Sequence, residues 1–519
     1  MKKYSRTKNS FLNVATSFGS QFLMIILKFV TRTVFIQTLG VEYLGINGLF
    51  LNILTMLSLT ELGFDTAMNY RLYKPVAESD ERTIRIYLKF YKNAYRVIGL
   101  VILVLGLMLI PALRFLIKDY DNLSTLGINA TLVFLLYLMQ SVSSYLFFAY
   151  RSVIIKVYQR EYILHLVSYI IVILTNAAQI TVLIIWKNFV AYVALLVLFN
   201  ILQNLVNAVI TQRLFPKLFV KEKDSLSWLD IKNLIKDCGA LFVYKVNGVV
   251  GKISDNLILS AFIGLSIVGY YSNYLLFYTT IRTLFSQLYK GTKASMGNLY
   301  ATNSIKRRYF FFEVLNFLTA ILYGTAAVGI AVVADEIISV WIGDKYVIAS
   351  PFAFLIGIEI FFMGININLG QIRNITGVFR QMWYRPLMGI VINISVSIVL
   401  VQFIGIYGVI IGTISAQVLA HFMVDPGVIH RHAFKNYKPV SKYYVKNITY
   451  MIILLAVGLV NWALSSAILP GMGWLSVGVH SIICAITVPA TFLFIYRKKP
   501  ECQYVVNKLT TFVQKKHIK

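Results

Sequence analysis

The most informative feature of this sequence is how little charge it carries. Only 13% of its 519 residues are Asp, Glu, Lys or Arg, while 58% are hydrophobic and 14% are aromatic. Soluble domains carry about 25% charged residues, because a water-facing surface has to be solvated. The shortage of charge therefore excludes a soluble globular protein.

Residues that commonly build metal sites and catalytic centres are also scarce. The three cysteines lie far apart in the sequence, whereas structural zinc sites use closely spaced pairs. The three histidines of the hydrophobic stretches (His165, His421 and His480) fall on separate predicted helices without ligand spacing. There is no P-loop, so direct use of ATP by this chain is not expected. These absences predict a protein that is not an enzyme and that holds no metal or organic cofactor.

Long apolar stretches occupy most of the sequence. A transmembrane helix needs about 20 apolar residues, and about fourteen such stretches occur here, which we number as spans 1 to 14. They cover 11–36, 44–64, 91–112, 126–149, 162–185, 188–210, 239–263, 267–289, 309–333, 349–371, 386–404, 406–424, 447–467 and 474–496. The expected fold class is an all-α integral membrane protein with about 14 transmembrane helices.

The distribution of basic residues predicts the orientation of these spans. The chain has 49 Lys and Arg against 21 Asp and Glu, a net charge of +28. If the N-terminus is cytoplasmic, about 40 of the bases fall in cytoplasmic regions and only about four in outward loops, as the positive-inside rule requires. We therefore expect both termini in the cytoplasm. The bases are spread over many short loops, which argues against nucleic-acid binding.

A shift of the sequence by 224 residues indicates an internal repeat. It places Lys28 on Lys252, Gly40 on Gly264 and Gly45 on Gly269. Six spans separate the copies, so both would have the same orientation, as in transporters with parallel repeats. We therefore predict two six-helix lobes followed by two further helices. The boundaries are 1–210 for the N-lobe, 211–238 for a cytoplasmic interlobe loop, 239–424 for the C-lobe, 425–446 for a cytoplasmic loop, 447–496 for spans 13 and 14, and 497–519 for a basic cytoplasmic tail.

Several bases fall within predicted spans, where a charge costs roughly 2.5–3.5 kcal/mol unless it meets a partner or water. Lys28 and Arg32 share one face of span 1 because they are four residues apart, and they either face a cavity or reach for the interface. Lys252 on span 7 can pair with Asp255, three residues later. Arg282 on span 8 has no acid within its own turns. Its side chain therefore also either faces a cavity or reaches for the interface.

Acids and amides within the spans are candidates for an ion site and for sugar contacts. Glu61, Asp255 and Glu359 could bind a coupling proton or cation, or they could form structural bonds between helices. Span 6 carries four amides on one face, either as glue between helices or as donors and acceptors for sugar hydroxyls. These amides are Asn200, Gln203, Asn204 and Asn207.

Four short segments near the N-terminus carry a recognisable pattern. They are 35–50 (FIQTLGVEYLGINGLF), 61–64 (ELGF), 72–75 (LYKP) and 150–152 (YRS). They resemble the corresponding segments of bacterial polysaccharide flippases of the Wzx type. Those proteins belong to the superfamily that includes the multidrug and toxin extruders and the lipid II flippase. The number of spans and the repeat extend the resemblance over the chain, although many capsule and O-antigen flippases have only twelve spans.

The resemblance implies a flippase that moves an undecaprenyl-diphosphate-linked oligosaccharide to the outer leaflet of the bacterial cell membrane, for capsular or exopolysaccharide synthesis. It implies alternating access through a central cationic cavity. Bases on helices 1 and 8 of the lipid II flippase face that cavity, and the positions that correspond here are Lys28, Arg32 and Arg282. The repeat adds Lys252 to this set. The implied partners are the lipid-linked oligosaccharide, the bilayer and other polysaccharide-assembly membrane proteins. Whether Na⁺ or H⁺ is coupled, or the membrane potential alone drives transport, stays open at this point.

Two other functions remain open at this point. A multidrug or cation-coupled extruder of the same architecture would need an acidic and aromatic cavity, whereas several bases lie within these spans. A membrane glycosyl polymerase or ligase usually carries a large outward domain, and the longest outward loop here has about 13 residues. Both alternatives are therefore less favoured than a flippase.

Overall fold

The computed structural model describes residues 24–58, 64–118, 120–124, 127–220, 222–232, 234, 253–469 and 471–517. Within these ranges the chain forms helices and turns, with no β-strand. Nine of the described helices are long and apolar enough to cross a membrane, or ten if the bent pair Ala130–Leu146 and Ala149–Val157 is one span. This confirms the predicted all-α membrane class, while the count of fourteen spans remains a prediction.

The chain divides into two compact units, residues 1–269 and 270–519. The boundaries of lobes, loops and tail given above remain predictions. Helices that begin in the first unit are α1 (24–38), α2 (Val41–Leu57), α3 (Phe64–Glu78), α4 (Glu81–Leu109), α5 (Leu113–Leu116), α6 (Ala130–Leu146), α7 (Ser152–Val157), α8 (Glu161–Trp186), α9 (Phe189–Leu214), α10 (Ile253–Phe262) and α11 (Leu265–Thr302).

The second unit contains the remainder of α11 and eight further helices that the structure describes. They are α12 (Ile305–Ile342), α13 (Phe352–Thr376), α14 (Arg385–Ile404), α15 (Ile406–Ala416), α16 (Asp425–His432), α17 (Val440–Ala467), α18 (Trp474–Tyr496) and α19 (Pro500–His517). A π-helical turn, Gln417–Phe422, joins α15 to α16. Such wide turns are often found at functional sites, because they rotate the side chains that follow.

Small residues allow the helices of the second unit to approach closely. A Cβ atom added at Gly357 of α13 would lie 2.6 Å from the carbonyl oxygen of Ala327 on α12. A Cβ atom at Gly364, two turns later, would overlap the ring of Tyr323. Lipid does not drive helices together through the hydrophobic effect, so close packing of this kind supplies much of the association. These glycines fix α13 directly against α12.

The repeated glycines occupy matching places at two helix junctions. Gly40 joins α1 to α2 with φ 99°, and Gly264 joins α10 to α11 with φ 135°, a region that favours glycine. A side chain at Gly45 would overlap the carbonyl oxygen of Leu265, at the start of α11. A side chain at Gly269 would in turn come within 2.5 Å of the carbonyl oxygen of Val41, at the start of α2.

These contacts are reciprocal under the 224-residue shift. The shift carries Val41 onto Leu265 and Gly45 onto Gly269, so each contact is the copy of the other with the partners exchanged. The hydroxyl of Ser266 donates to Glu42 Oε1 at 3.1 Å, and these two residues are also related by the shift. The two copies of the motif therefore cross as the halves of an isologous contact do.

Candidate functional site

The bases of α1 lie on the side of the helix that meets α8 and α9. Phe35, one turn beyond Arg32, packs edge-on against Tyr192 with ring centroids 5.0 Å apart. The hydroxyl of Thr31 donates to Asn176 Oδ1 on α8 at 2.5 Å. Lys28 is exposed in this unit, and it has no partner among the residues that the structure describes. Arg32 is half-buried and lies within electrostatic reach of Tyr192.

The amide stripe of α9 divides into a bonded pair and two further side chains. Asn200 Oδ1 accepts hydrogen bonds from Ser143 and Ser144 of α6, both at 3.1 Å, and one from Asn204 Nδ2 at 3.2 Å. Asn200 therefore joins α9 to α6, while Asn204 bonds Asn200 within α9. Gln203 is half-buried. Asn207 is buried, and its Oδ1 accepts no hydrogen bond within the described part of the chain.

Arg282 lies on α11 in the second unit. Its side chain is half-buried. No residue in the described ranges forms a hydrogen bond or an ion pair with its guanidinium. An arginine without a protein partner is solvated by water or by an anionic ligand. Arg282 therefore stays a candidate for the predicted diphosphate site. Lys252, the base that the repeat pairs with Lys28, falls outside the described residues.

The predicted acidic sites have different surroundings. Glu61 lies outside the described residues. Asp255 is buried in α10, and Glu359 is buried in α13 with only 4% of its surface exposed. Gln417, at the start of the π-helical turn, donates from its Nε2 to Glu359 Oε1 at 3.4 Å. The amide oxygen of Gln417 accepts a hydrogen bond from Asn366 Nδ2, also at 3.4 Å. Among the described residues, no group of three His, Cys, Asp or Glu side chains could hold a metal ion.

A buried charge cluster in the second unit was missed by the sequence analysis. Asp425 is fully buried. Its Oδ2 accepts hydrogen bonds from Arg385 Nη1 at 2.6 Å and from Arg373 Nη1 at 3.4 Å. The same Arg385 nitrogen lies 2.5 Å from His421 Nδ1. Two guanidinium groups against one carboxylate leave an excess positive charge. Asp425 directly precedes Pro426, a common arrangement at the start of a helix that could have indicated a buried helix end.

A second acidic centre, Asp65, joins three helices of the first unit. Its Oδ1 accepts the hydroxyl of Tyr91 on α4 at 2.8 Å, and its Oδ2 lies 3.2 Å from Lys156 Nζ on α7. Asn69, one turn further along α3, donates to the same carboxylate at 3.1 Å. The signal in the sequence was its place directly after the segment 61–64. Asp65 therefore holds these helices together.

Comparison with known proteins identifies the fold. No family model and no curated protein matches the sequence. The lipid II flippase MurJ, in an inward closed conformation, superposes with a TM-score of 0.59 at 15% identity, covering 94% of this chain and 99% of that one. The MATE multidrug transporter DinF-BH superposes with a TM-score of 0.58 at 16% identity, covering 83% and 96%.

The MATE transporter VcmN of Vibrio cholerae, solved as a variant, gives a TM-score of 0.52 at 12% identity and covers 84% of this chain and 99% of that one. These proteins differ in what their names say they move, and they share one arrangement of helices. Identities this low establish the arrangement alone. The chain is therefore a multi-pass membrane protein with the fold of the lipid II flippase and the MATE transporters.

Proposed function

We propose that this protein is a flippase for an undecaprenyl-diphosphate-linked oligosaccharide in a bacterial plasma membrane. It would carry the repeat unit to the outer leaflet by alternating access, as a step in capsular or exopolysaccharide synthesis. The fold is compatible with this activity, since a lipid flippase shares it at nearly full length. Both termini would be cytoplasmic.

The observation that carries the proposal is the set of bases without protein partners within the helices. Arg282 is half-buried and without a partner in the described part of the chain, and Lys28 also lacks one there. A diphosphate is anionic, and a cation stabilises it most effectively where the dielectric is low. Cations that are not neutralised by the protein are therefore suited to hold this head group.

The proposed residues have distinct roles. Arg32 and Arg282 each offer a planar fork that can bind two phosphate oxygens, while Lys28 and Lys252 offer mobile point charges. Gln203 and Asn207 have amide groups left for sugar hydroxyls, whereas Asn200 would mainly hold α9 against α6 and Asn204 would support Asn200. Expulsion of an anionic head group is assisted by an inside-negative potential.

Ion coupling is a further part of the proposal. Glu61, Asp255 and Glu359 are the acids that could bind Na⁺ or H⁺ during the cycle. Glu359 is the most deeply placed of those described, because only 4% of its surface is exposed and it lies on α13 beside Gln417, at the start of the π-helical turn.

A drug extruder is the second candidate, because a MATE multidrug transporter superposes nearly as well as the lipid II flippase does. The two candidates differ in the charge of the cargo. Organic cations would be repelled by Arg282 and Lys28, whereas a diphosphate would be attracted. The charge of these side chains therefore favours the flippase.

The test is the replacement of Arg282 by Ala and by Lys. Loss of one charged contact in a desolvated site costs roughly 1.5–3 kcal/mol, about tenfold or more in rate. We expect Arg282→Ala to lose at least that much transport of a fluorescent undecaprenyl-diphosphate oligosaccharide in proteoliposomes, and Arg282→Lys to recover part of it. Arg213→Ala, which removes an exposed base at the end of α9, serves as the control and should transport normally.

Two results would decide against the proposal. Normal oligosaccharide transport by Arg282→Ala would remove Arg282 from the site. Efflux of a cationic dye by the unaltered protein, without oligosaccharide transport, would favour the extruder.

A further inference from the structure

A chain of ion pairs fixes the last helix, α19, to the rest of the second unit. Glu313 of α12 lies 2.9 Å from Lys438 and 3.9 Å from Lys446 of α17. Lys446 also lies 2.5 Å from Glu501, in the first turn of α19. The side chains of Lys446 and Glu501 are 18% and 8% exposed, so solvent screens this pair less than it would an ordinary surface pair. The network gives α19 a defined position.

Aromatic packing defines which face of α19 is turned inward. The ring of Tyr504 packs edge-on against Phe310 and Phe311 of α12, with centroids 5.6 and 5.5 Å apart. Cys502 and Val505 are buried on the same side. On the opposite side Gln503, Asn507 and Thr510 are exposed. Lys508 is also exposed, one turn after Tyr504, with its Nζ 5.9 Å from the centroid of that ring. The helix is therefore anchored along one face and open along the other.

The bases around α19 are left without acids. Both acids of this region, Glu313 and Glu501, are already paired with lysines. Seven exposed bases have no acidic partner among the described residues, and we call them the basic rim. The basic rim consists of Lys306, Arg307, Lys442, Arg497, Lys498, Lys499 and Lys508.

The basic rim borders an apolar surface. Phe494 and Ile495, in the last turn of α18, are 69% and 50% exposed. The guanidinium of Arg497 lies over the ring of Phe494, 5.0 Å from its centroid. Exposed apolar residues followed at once by bases are typical of the end of a transmembrane helix, where the bases reach the level of the lipid phosphates. A protein or nucleic-acid partner would not require this apolar border.

We propose that the basic rim binds the head groups of anionic phospholipids, with α19 lying along the membrane surface. The distribution of bases along the sequence predicts that these head groups belong to the inner leaflet, where anionic lipids attract juxtamembrane bases. The ion pairs and the Tyr504 contact hold α19 so that Lys508 and the bases at 497–499 meet the same layer of head groups. The surface is independent of the proposed transport site.

The experiment uses the full-length protein in a neutral detergent, titrated with phosphatidylglycerol or with phosphatidylcholine, and bound lipid is counted by native mass spectrometry. The test variant is K498Q/K499Q/K508Q. The matched control, R213Q/K217Q/K232Q, removes three exposed bases from the first unit. We expect the test variant to bind phosphatidylglycerol at least tenfold more weakly, while the control variant and the binding of phosphatidylcholine are unchanged.

A further variant separates a docked surface from simple net charge. Glu501→Gln makes the region more positive but removes the anchor to Lys446. A docked surface predicts weaker phosphatidylglycerol binding, whereas net charge alone predicts equal or stronger binding. The proposal is overturned if the test and control variants behave alike, if Glu501→Gln binds more strongly, or if inorganic phosphate at millimolar concentration displaces the lipid. Preferential capture of RNA by the same surface would equally overturn it.

Discussion

His480 shows how one side chain can join three parts of the second unit. Its Nδ1 lies 2.8 Å from Glu336 Oε2 on α12, and its Nε2 lies 2.8 Å from the carbonyl oxygen of Ile468, just after α17. The Nε2–H donates to the carbonyl oxygen, and one proton joins Nδ1 to the carboxyl group of Glu336. Ser476 donates to the other oxygen of the same carboxyl group. The end of α17 and the start of α18 are thus fastened to α12 through His480 and Glu336.

Replacement of His480 by Ala should destabilise the second unit. The side chain is only 3% exposed, and the loss of a hydrogen bond between charged groups costs roughly 1.5–3 kcal/mol. We expect a lower midpoint of thermal unfolding in detergent. Unfolding is measured as the reaction of a thiol-specific dye with the buried thiol of Cys484 on α18. His165→Ala removes a half-buried imidazole that has no partner in the described ranges. Equal midpoints for the two variants would show that the pair contributes nothing.

The sequence predicted which side chains share a helix face more readily than it predicted their partners. The amide stripe follows from helical spacing within one segment, so it could be recognised without a structure. Ser143 and Ser144, which bond Asn200, lie more than fifty residues away and belong to another helix. The pairing of Asp425 with Arg385 is equally non-local. Local spacing shows which side chains share a face, but it cannot show which other helix that face meets.

At the scale of elements, an extended segment is held against the start of α4. Arg85 Nε lies 3.0 Å from Glu222 Oε2, and Arg82 is paired with Asp224. Lys89 Nζ donates to the carbonyl oxygen of Lys223 at 2.9 Å. The three bases share one face of the helix because their spacing is three and four residues. The middle of the predicted interlobe loop is therefore attached to the start of α4 at several points.

A charge exchange tests this attachment. Arg85→Glu should expose the amides of residues 222–225 to hydrogen exchange, and the double variant R85E/E222R should restore their protection. Lys74→Glu disrupts a highly exposed pair with Glu78 and should leave the exchange of 222–225 unchanged. Faster exchange in the double variant than in Arg85→Glu would contradict the pairing.

The attachment should also depend on pH in a defined direction. The hydrogen bond from Arg85 holds the pKa of Glu222 below its ordinary value of 4.5. A carboxyl whose pKa is lower in the folded state stabilises that state above the ordinary pKa, and the contribution is lost as the pH falls through the lower value. The protection of 222–225 should therefore be greatest at neutral pH and decrease as the pH falls below the ordinary pKa of Glu222.

The helix boundaries could be predicted where the apolar stretch and the helix coincide. Span 14 was predicted at 474–496, and α18 is Trp474–Tyr496. Span 3 was predicted at 91–112, but α4 begins at Glu81, where Asp80 caps the helix by accepting from the backbone N–H of Thr83 at 3.0 Å. Hydropathy records only the part of a helix that lies in lipid, so polar turns at helix ends were missed.

At the scale of the whole molecule, the distribution of charge predicts the orientation of the chain. The bases concentrate in regions that are cytoplasmic if the N-terminus is inside. Reporter fusions at Lys118 and Lys345 should therefore be external, and a fusion at Asp224 internal. Activity of an internal reporter at Lys345 would show that the orientation of the second unit is wrong.

The crossing of α2 and α11 bears on how such a chain could arise. Each glycine lies against the start of the other helix, and Glu42 bonds Ser266, its own counterpart in the repeat. Two identical chains that meet on a twofold axis make contacts of this kind, in which a residue faces its own equivalent. A half-length ancestor would already have possessed this surface as a homodimer. Gene fusion would then have joined two subunits that were already complementary, and Ser266 opposite Glu42 would mark where the former symmetry has since been broken.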